Sequence, residues 1–177
     1  MTKHKALFLD RDGIINIDHG YVSKIEDFAF TEGIFELLHL FTQKGYLLFI
    51  ITNQSGIGRG YYTLQDFDTL TSWMLSVLNT HDITIEKVAY CPHAPEESCH
   101  CRKPQAGMIK DILKYYPIDL TNSWLIGDKQ SDIDLAQQAK IAQSIAIGSH
   151  DITHASYQFD TVKECYTFLN SQQGILL

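Results

Sequence analysis

Ala6-Leu7-Phe8-Leu9-Asp10-Arg11-Asp12-Gly13 is the stretch that decides the fold. Four apolar residues end abruptly in two carboxylates one residue apart, followed by glycine. A strand buried on both faces of a parallel sheet reads as such a short apolar run. In open α/β sheets the ligand crevice lies outside the carboxyl ends of the strands. Asp10 and Asp12 are therefore expected at a crevice mouth, aimed at one small volume. Two like charges that close repel unless a cation sits between them. The pair points to a divalent metal with oxygen ligands and to a carboxylate free to act as nucleophile or acid/base. Asp and Gly are also ordinary turn residues, so this segment needs the rest of the chain to decide it.

Outward from residue 13 the chain alternates. A first strand at about 5–9 is followed by an amphipathic helix near 33–43, with Ile34, Leu37, Leu38 and Phe41 at helical spacing and Gly45 at its stop. A second strand, Tyr46 to Ile51, precedes a helix over 63–79 whose apolar side is Leu64, Phe67, Leu70, Met74, Leu75 and Leu78. A third strand runs from Ile83 to Tyr90. Residues 91–105 break the pattern with three prolines and three cysteines. A helix near 105–115, a fourth strand over 123–128, a helix over 130–140, a fifth strand over 143–147 and a last helix over 161–171 follow. Such alternation implies parallel pairing in a doubly wound α/β sheet. There is no repeat, linker or insertion long enough for a large cap domain, and residues 1–177 are expected to form a single domain.

Three of these strands end in polar clusters: Asp10 and Asp12; Thr52-Asn53-Gln54-Ser55-Gly56; and Gly127-Asp128-Lys129, with Asp132 one turn later. In a parallel sheet these ends share one edge. Phosphoryl transfer needs such a mix: hard oxygen ligands for Mg²⁺, hydroxyl and backbone donors for the other oxygens, and a lysine to offset charge. The glycines of Ser55-Gly56-Ile57-Gly58 let backbone N–H groups approach an anion. Each piece has a plainer reading alone: a glycine-rich turn, a solvated Lys103, or Asp128 and Asp132 complementing a helix dipole. Asp132 is open between that last role and a place in the site.

Asp10-x-Asp12-Gly13, Thr52-Asn53, Lys103 and Gly127-Asp128-x-x-x-Asp132, in this order, resemble the motifs of the haloacid dehalogenase superfamily of aspartate-nucleophile phosphatases. The resemblance implies that Asp10 attacks phosphorus and forms an aspartyl-phosphate. It implies that Asp12 protonates the leaving alkoxide and then activates water. Asp10, the backbone carbonyl of Asp12 and Asp128 would bind Mg²⁺, and Thr52 and Lys103 would hold the transferring phosphoryl group.

Cys91-Pro92-His93 is followed after five residues by Cys99-His100-Cys101. Cys91, His93, Cys99 and Cys101 make a full tetrahedral Zn²⁺ set with no open position, hence a structural site. His100 is a rival ligand, expected to point outward. Free thiols in a loop are the plainer alternative. The consequence is positional, because Arg102 and Lys103 follow Cys101 directly. Cys165, in a predicted helix, is expected to be a small buried hydrophobe.

Within the superfamily the Cys-x-His…Cys-x-Cys-Arg-Lys-Pro loop resembles two branches, heptose bisphosphate phosphatases and histidinol-phosphate phosphatases. The short His93–Cys99 spacer favours the second. Asp18-His19-Gly20-Tyr21-Val22, the Thr52 to Gly60 segment and Gly127-Asp128-Lys129 favour the first. That resemblance implies contacts to sugar hydroxyls and a second phosphate from Asp18, His19, Gly20, Tyr21, Asn53, Gln54, Ser55, Arg102 and Lys129. It further implies removal of the C7 phosphate of a heptose 1,7-bisphosphate, a step toward nucleotide-activated heptose for lipopolysaccharide core or similar glycans. A non-catalytic zinc-stabilised binding domain is a reading from another class, and such a copy should have lost part of the catalytic inventory.

Composition sets the outer bounds. The 177 residues carry a net charge of −7, a poor basis for broad nucleic-acid binding. The sequence has no run long enough to span a bilayer. Met1-Thr2-Lys3-His4-Lys5 runs into the first strand without a signal-peptide pattern. A cytoplasmic monomer acting on a small phosphorylated sugar, with no nucleic-acid or membrane partner, is expected. Three cysteines within eleven residues favour metal over disulfides in a reducing compartment.

Overall fold

The computed structural model describes residues 2–176. Its elements, in chain order, are β1 (Ala6–Leu9), α1 (Ile34–Gln43), β2 (Leu47–Asn53), α2 (Ser55–Gly58), α3 (Leu64–Thr80), β3 (Ile85–Cys91), α4 (Gly107–Leu113), β4 (Trp124–Gly127), α5 (Gln130–Ala139), β5 (Gln143–Ile147), β6 (Tyr157–Phe159) and α6 (Val162–Ser171). The six strands form one all-parallel sheet in the order β3-β2-β1-β4-β5-β6.

Side-chain alternation along β1 divides the core. Leu7 and Leu9 join a cluster with Ile34, Leu37 and Phe41 of α1, Leu70, Met74 and Leu78 of α3, and Val162, Cys165 and Leu169 of α6. Ala6 and Phe8 face the other way, toward Met108, Ile109 and Ile112 of α4 and Leu135 and Ala136 of α5. Because successive strand side chains point to opposite faces, one apolar run feeds both layers. Cys165 is fully buried, as a small hydrophobe would be. Phe8 and Phe49, paired in register on β1 and β2, stack with ring centroids 5.5 Å apart.

Helix boundaries follow local chemistry. Thr63 caps α3 with a capping box: its hydroxyl accepts from the Asp66 N–H, and the Asp66 carboxylate accepts from the Thr63 N–H. Gly45, at φ +81°, turns the chain after α1. Two elements escape the sequence reading. The edge strand β6 is only three residues long, too short for periodicity to register. The segment expected as a glycine-rich turn closes one helical turn as α2.

β1 lies between β2 and β4, where chain order reverses direction across the sheet. This topological switch point is where α/β sheets open a ligand crevice. The carboxyl ends of β1, β2 and β4 deliver Asp10, Thr52 and Asp128 to it.

Candidate active site

Asp10 continues β1 by one residue, its N–H donating to the Ile126 carbonyl at 3.0 Å. Its carboxylate is nearly buried. Oδ1 accepts from the Arg11 N–H at 2.8 Å and lies 3.0 Å from Lys103 Nζ. Lys103, also buried, donates to Asp132 Oδ1 at 2.7 Å and to the Ile51 carbonyl at 3.0 Å. Asp132 Oδ2 accepts from the Lys129 N–H at 3.1 Å. Asp132 is therefore more than a helix-dipole charge: fully buried, it anchors the lysine.

Asp12 is held from three sides. Its Oδ1 accepts from Arg11 Nη2 at 2.8 Å and Asn16 Nδ2 at 3.0 Å, and its Oδ2 accepts from Gln54 Nε2 at 3.1 Å. The same Gln54 nitrogen donates to Thr52 Oγ1 at 2.8 Å. Tyr62 donates its hydroxyl to Gln54 Oε1 and so fixes which end of the amide faces the site. The Tyr62 ring packs against Gly56, where any side chain would collide with it. Gly13, at φ +87°, turns the chain after Asp12, and a Cβ there would strike the Asp128 carboxylate.

Carboxylate oxygens of Asp10, Asp128 and Asp132 lie within 4.8 Å of one another. Burial pushes the Asp10 carboxyl well above its ordinary range. Lys103 opposes the rise, and the neighbouring carboxylates of Asp132, Asp128 and Asp12 add to it. Burial also raises Asp128, against the pull of Lys129. For Lys103 burial favours the neutral amine, but Asp10 and Asp132 outweigh it and hold the ammonium above its usual range. Negative charge thus exceeds positive at the strand ends, the chemistry a divalent cation with hard oxygen ligands satisfies. Both oxygens of Asp132 are committed to Lys103 and the Lys129 N–H, whereas Asp10 is engaged by Lys103 and the Arg11 N–H through Oδ1, and Asp128 is paired with the partly exposed Lys129 ammonium. These two fit Mg²⁺ best. The Asp12 side chain stands outside the group, turned to Arg11 and Asn16, which leaves only its backbone for that role.

The four soft donors also converge. Cys91, His93, Cys99 and Cys101 place one ligand atom each within 4.8 Å of the others. Cys91 Sγ lies 3.4 Å from His93 Nδ1 and 3.7 Å from Cys99 Sγ, and His93 Nδ1 lies 3.2 Å from Cys101 Sγ. Cys91 Sγ and Cys101 Sγ are only 2.7 Å apart; tetrahedral zinc with bonds of about 2.3 Å to sulfur and about 2.0 Å to nitrogen demands edges of about 3.5–3.8 Å, so the donor set is right for the ion once Cys101 moves outward by about 1 Å. His100 is exposed and outside the cluster, as its sequence position implies. Burial raises the Cys91 thiol, and contact with Cys101 raises it further. Cys99 is drawn down to about 7: slight burial opposes ionisation, but the N–H donors of Arg102 and Cys101 prevail.

The cysteine loop is tied to the phosphate-side loop by backbone. The Gln54 N–H donates to the Cys91 carbonyl and the Gly58 N–H to the Pro92 carbonyl, both at 2.8 Å. Asn53 Oδ1 accepts from the Lys103 N–H at 3.0 Å. Asn53 is thus a brace between the two loops.

A cleft of about 340 Å³ opens over these strand ends. Asp10, Asp12, Asp18, Gly20, Tyr21, Asn53, Gln54, Ser55, Arg102, Lys103 and Lys129 line it. Thr52 is fully buried beneath it. His19 is not on its wall but borders a neighbouring depression with Tyr21, Val22 and Phe28. Gly20 and Tyr21, with φ of +80° and +52°, bend the loop there. Lys129 Nζ lies 3.3 Å from both Asp128 oxygens and 3.8 Å from Asp18. Sequence reasoning missed Arg11, Asn16, Tyr62 and Ser131. Arg11 sits between the two key aspartates, and that was the only available signal for it. Tyr62 gave none, since a tyrosine before a helix reads as packing.

A parallel sheet presenting two carboxylates, a buried lysine and a third carboxylate at its switch point defines an aspartate-based phosphoryl-transfer fold. The HAD-hydrolase-like family model matches residues 100–162. A D-glycero-beta-D-manno-heptose-1,7-bisphosphate 7-phosphatase from Helicobacter pylori is 47% identical over 167 residues, covering 93% of this chain and 96% of the relative. A D-glycero-alpha-D-manno-heptose-1,7-bisphosphate 7-phosphatase from Campylobacter jejuni is 47% identical over 171 residues, covering 96% and 98%. Among solved structures, the D,D-heptose 1,7-bisphosphate phosphatase from B. bronchiseptica, complexed with magnesium and phosphate, superposes with a TM-score of 0.84 at 25% identity, covering 95% of this chain and 99% of that one. The chain belongs to the haloacid dehalogenase-like phosphatases, in the family of the heptose-1,7-bisphosphate 7-phosphatases.

Proposed function

We propose that this chain hydrolyses the C7 phosphate of D-glycero-D-manno-heptose 1,7-bisphosphate, supplying a heptose 1-phosphate for nucleotide activation. The observation that carries this reading is the single cleft in which Asp10 and Asp12 stand opposite Arg102 and Lys129. One phosphate sits over the carboxylates, and a second can draw on Arg102 and on Lys129, which is paired here with Asp128 and Asp18. Relatives of near-equal identity are named for the beta and the alpha anomer, so either C1 configuration is a candidate substrate.

A carboxylate oxygen of Asp10 attacks the C7 phosphorus, and the P–O bond to the sugar breaks. Asp12 delivers a proton to the departing C7 oxygen. Water then attacks the aspartyl-phosphate, Asp12 accepts its proton, and Asp10 is released. Asp10, Asp128 and the Asp12 carbonyl would hold Mg²⁺, which would supply positive charge against the non-bridging oxygens. Thr52 accepts from Gln54 at 2.8 Å, which leaves its own hydroxyl proton to donate to a phosphoryl oxygen. Lys103 offsets negative charge from a fixed position. Asp18, His19, Gly20 and Tyr21 form the sugar-facing loop, joined by Asn53, Gln54 and Ser55. Cys91, His93, Cys99 and Cys101 would hold a structural Zn²⁺ that would tie down the loop delivering Arg102 and Lys103.

The enzyme acts as a single-domain cytoplasmic monomer on a small phosphorylated sugar, without nucleic-acid or membrane partners. No helix among the described residues is long and apolar enough to cross a membrane. The test is a paired assay with purified protein and Mg²⁺. The heptose bisphosphate should show the higher kcat/KM, and a higher value for histidinol phosphate would move the enzyme to the other branch. Absence of Mg²⁺-dependent phosphate release from any sugar phosphate would favour a non-catalytic zinc-stabilised domain.

A further inference from the structure

Arg11 is the largest fully buried side chain in the protein among the described residues. A buried guanidinium must be paired and hydrogen-bonded to be tolerated, yet only one of its three nitrogens has partners. Nη2 donates to Asp12 Oδ1 at 2.8 Å and to the Val22 carbonyl at 2.7 Å, while Nε and Nη1 are buried without a partner. Stability alone gives no reason to keep two orphaned donors, since a buried unsatisfied donor is destabilising. The two groups that Nη2 does hold belong to different parts of the site. One is the carboxylate assigned to proton transfer. The other is the last residue of the loop assigned to the sugar.

We propose that Arg11 is a positioning residue that fixes Asp12 as acid/base and ties it to the Asp18–Val22 loop. Arg11 and Asn16 both donate to Asp12 Oδ1. That oxygen is saturated and faces the protein. Oδ2 accepts only from Gln54 and keeps a lone pair toward the cleft. The proton that Asp12 gives and takes therefore travels on Oδ2. The turn reinforces this geometry: the Arg11 carbonyl accepts from the N–H groups of Ile14, Ile15 and Asn16 at 3.2, 2.7 and 3.3 Å. Through Val22 the same guanidinium sets where the sugar loop meets the acid. The inference deepens the proposed phosphatase reading and rests on it.

The test separates proton delivery from general damage. A phenolate leaving group needs protonation, whereas p-nitrophenolate departs without it. A series of aryl phosphates from phenyl to p-nitrophenyl is assayed as kcat/KM, which reports the first phosphoryl transfer, for wild type, Arg11→Met, Arg11→Lys and Asn16→Ala. Arg11→Met should lose at least tenfold more on phenyl phosphate than on p-nitrophenyl phosphate, giving a steeper leaving-group slope. It should also raise KM for the sugar bisphosphate through the freed loop. Asn16→Ala, which removes the other Oδ1 donor without touching a charge, should steepen the slope less. It carries the test if the Arg11 variants do not fold. Parallel losses on every ester, or an unchanged slope in folded variants, would overturn the proposal. Failure of the wild type on the sugar bisphosphate alone would instead reject the substrate reading and leave the slope comparison intact.

Discussion

Lys103 and Asp132, twenty-nine residues apart in sequence, meet at 2.7 Å in the interior of the site. The lysine follows the cysteine cluster, and the aspartate lies on the first turn of α5. Their pairing locks the loop carrying Arg102 against the β4 end of the sheet and points the ammonium at Asp10, 3.0 Å away. Asp10, the proposed nucleophile, is thus steadied by a cation whose own position is fixed by Asp132.

Asp132→Ala should be the costliest single truncation at the site that leaves Asp10 and Asp12 in place. It leaves the buried Lys103 ammonium with only Asp10 and the Ile51 carbonyl, and the Lys129 N–H without its acceptor. Breaking a buried pair costs about 3–5 kcal/mol, equivalent to a drop in Tm of roughly 6–20 °C for a chain of this size. Thermal melts together with kcat check it. A Tm within a degree or two of wild type would show that Asp132 does not anchor Lys103.

Asp10→Asn should abolish turnover, by about 10⁴-fold or more as expected for loss of a nucleophile, with the fold intact by circular dichroism. In the wild type, EDTA should abolish activity and added Mg²⁺ should restore it. Substantial residual activity in the variant would reject Asp10 as the attacking group.

Zinc should be present at about one equivalent per chain, measured by atomic absorption on protein never exposed to chelator. Stripping it should raise hydrogen exchange over residues 91–103 and lower kcat, while the sheet stays protected. The backbone bonds from Gln54 and Gly58 to Cys91 and Pro92 predict that exchange also rises over residues 52–58. Metal-free protein with full activity would refute the site.

Tyr62 supplies a pH dependence of defined sign. Burial raises its hydroxyl to about 12, with Arg11 opposing the rise. A pKa raised on folding means that the neutral hydroxyl's contribution is complete below the ordinary tyrosine value near 10 and is lost as pH climbs toward 12. Wild type should therefore exceed Tyr62→Phe in Tm at pH 8, and the gap should close between pH 10 and 12. A gap independent of pH would show that the hydroxyl proton is not what holds Gln54.

Five of the six strands, both apolar layers and the order of the polar clusters were legible in the sequence. Burial imposes its periodicity locally: Ala6 to Leu9 reads as a strand covered on both sides, and Ile34, Leu37, Leu38 and Phe41 read as one face of a helix. β6 was not legible, because three residues at a sheet edge owe their conformation to Ile145, Ala146 and Ile147 beside them.

The inventory of acids, lysine and soft ligands is likewise a property of the chain read end to end, since the chemistry of a carboxylate or a thiolate does not depend on where it lies. Direction and partnership do. That Asp132 grips Lys103, that Gln54 turns its amide to Asp12 and Thr52, and that one nitrogen of Arg11 joins Asp12 to Val22 are facts of side-chain geometry across strands and loops. Hydrogen bonds act over about 3 Å, and only the closed sheet brings residues so far apart in sequence to that range.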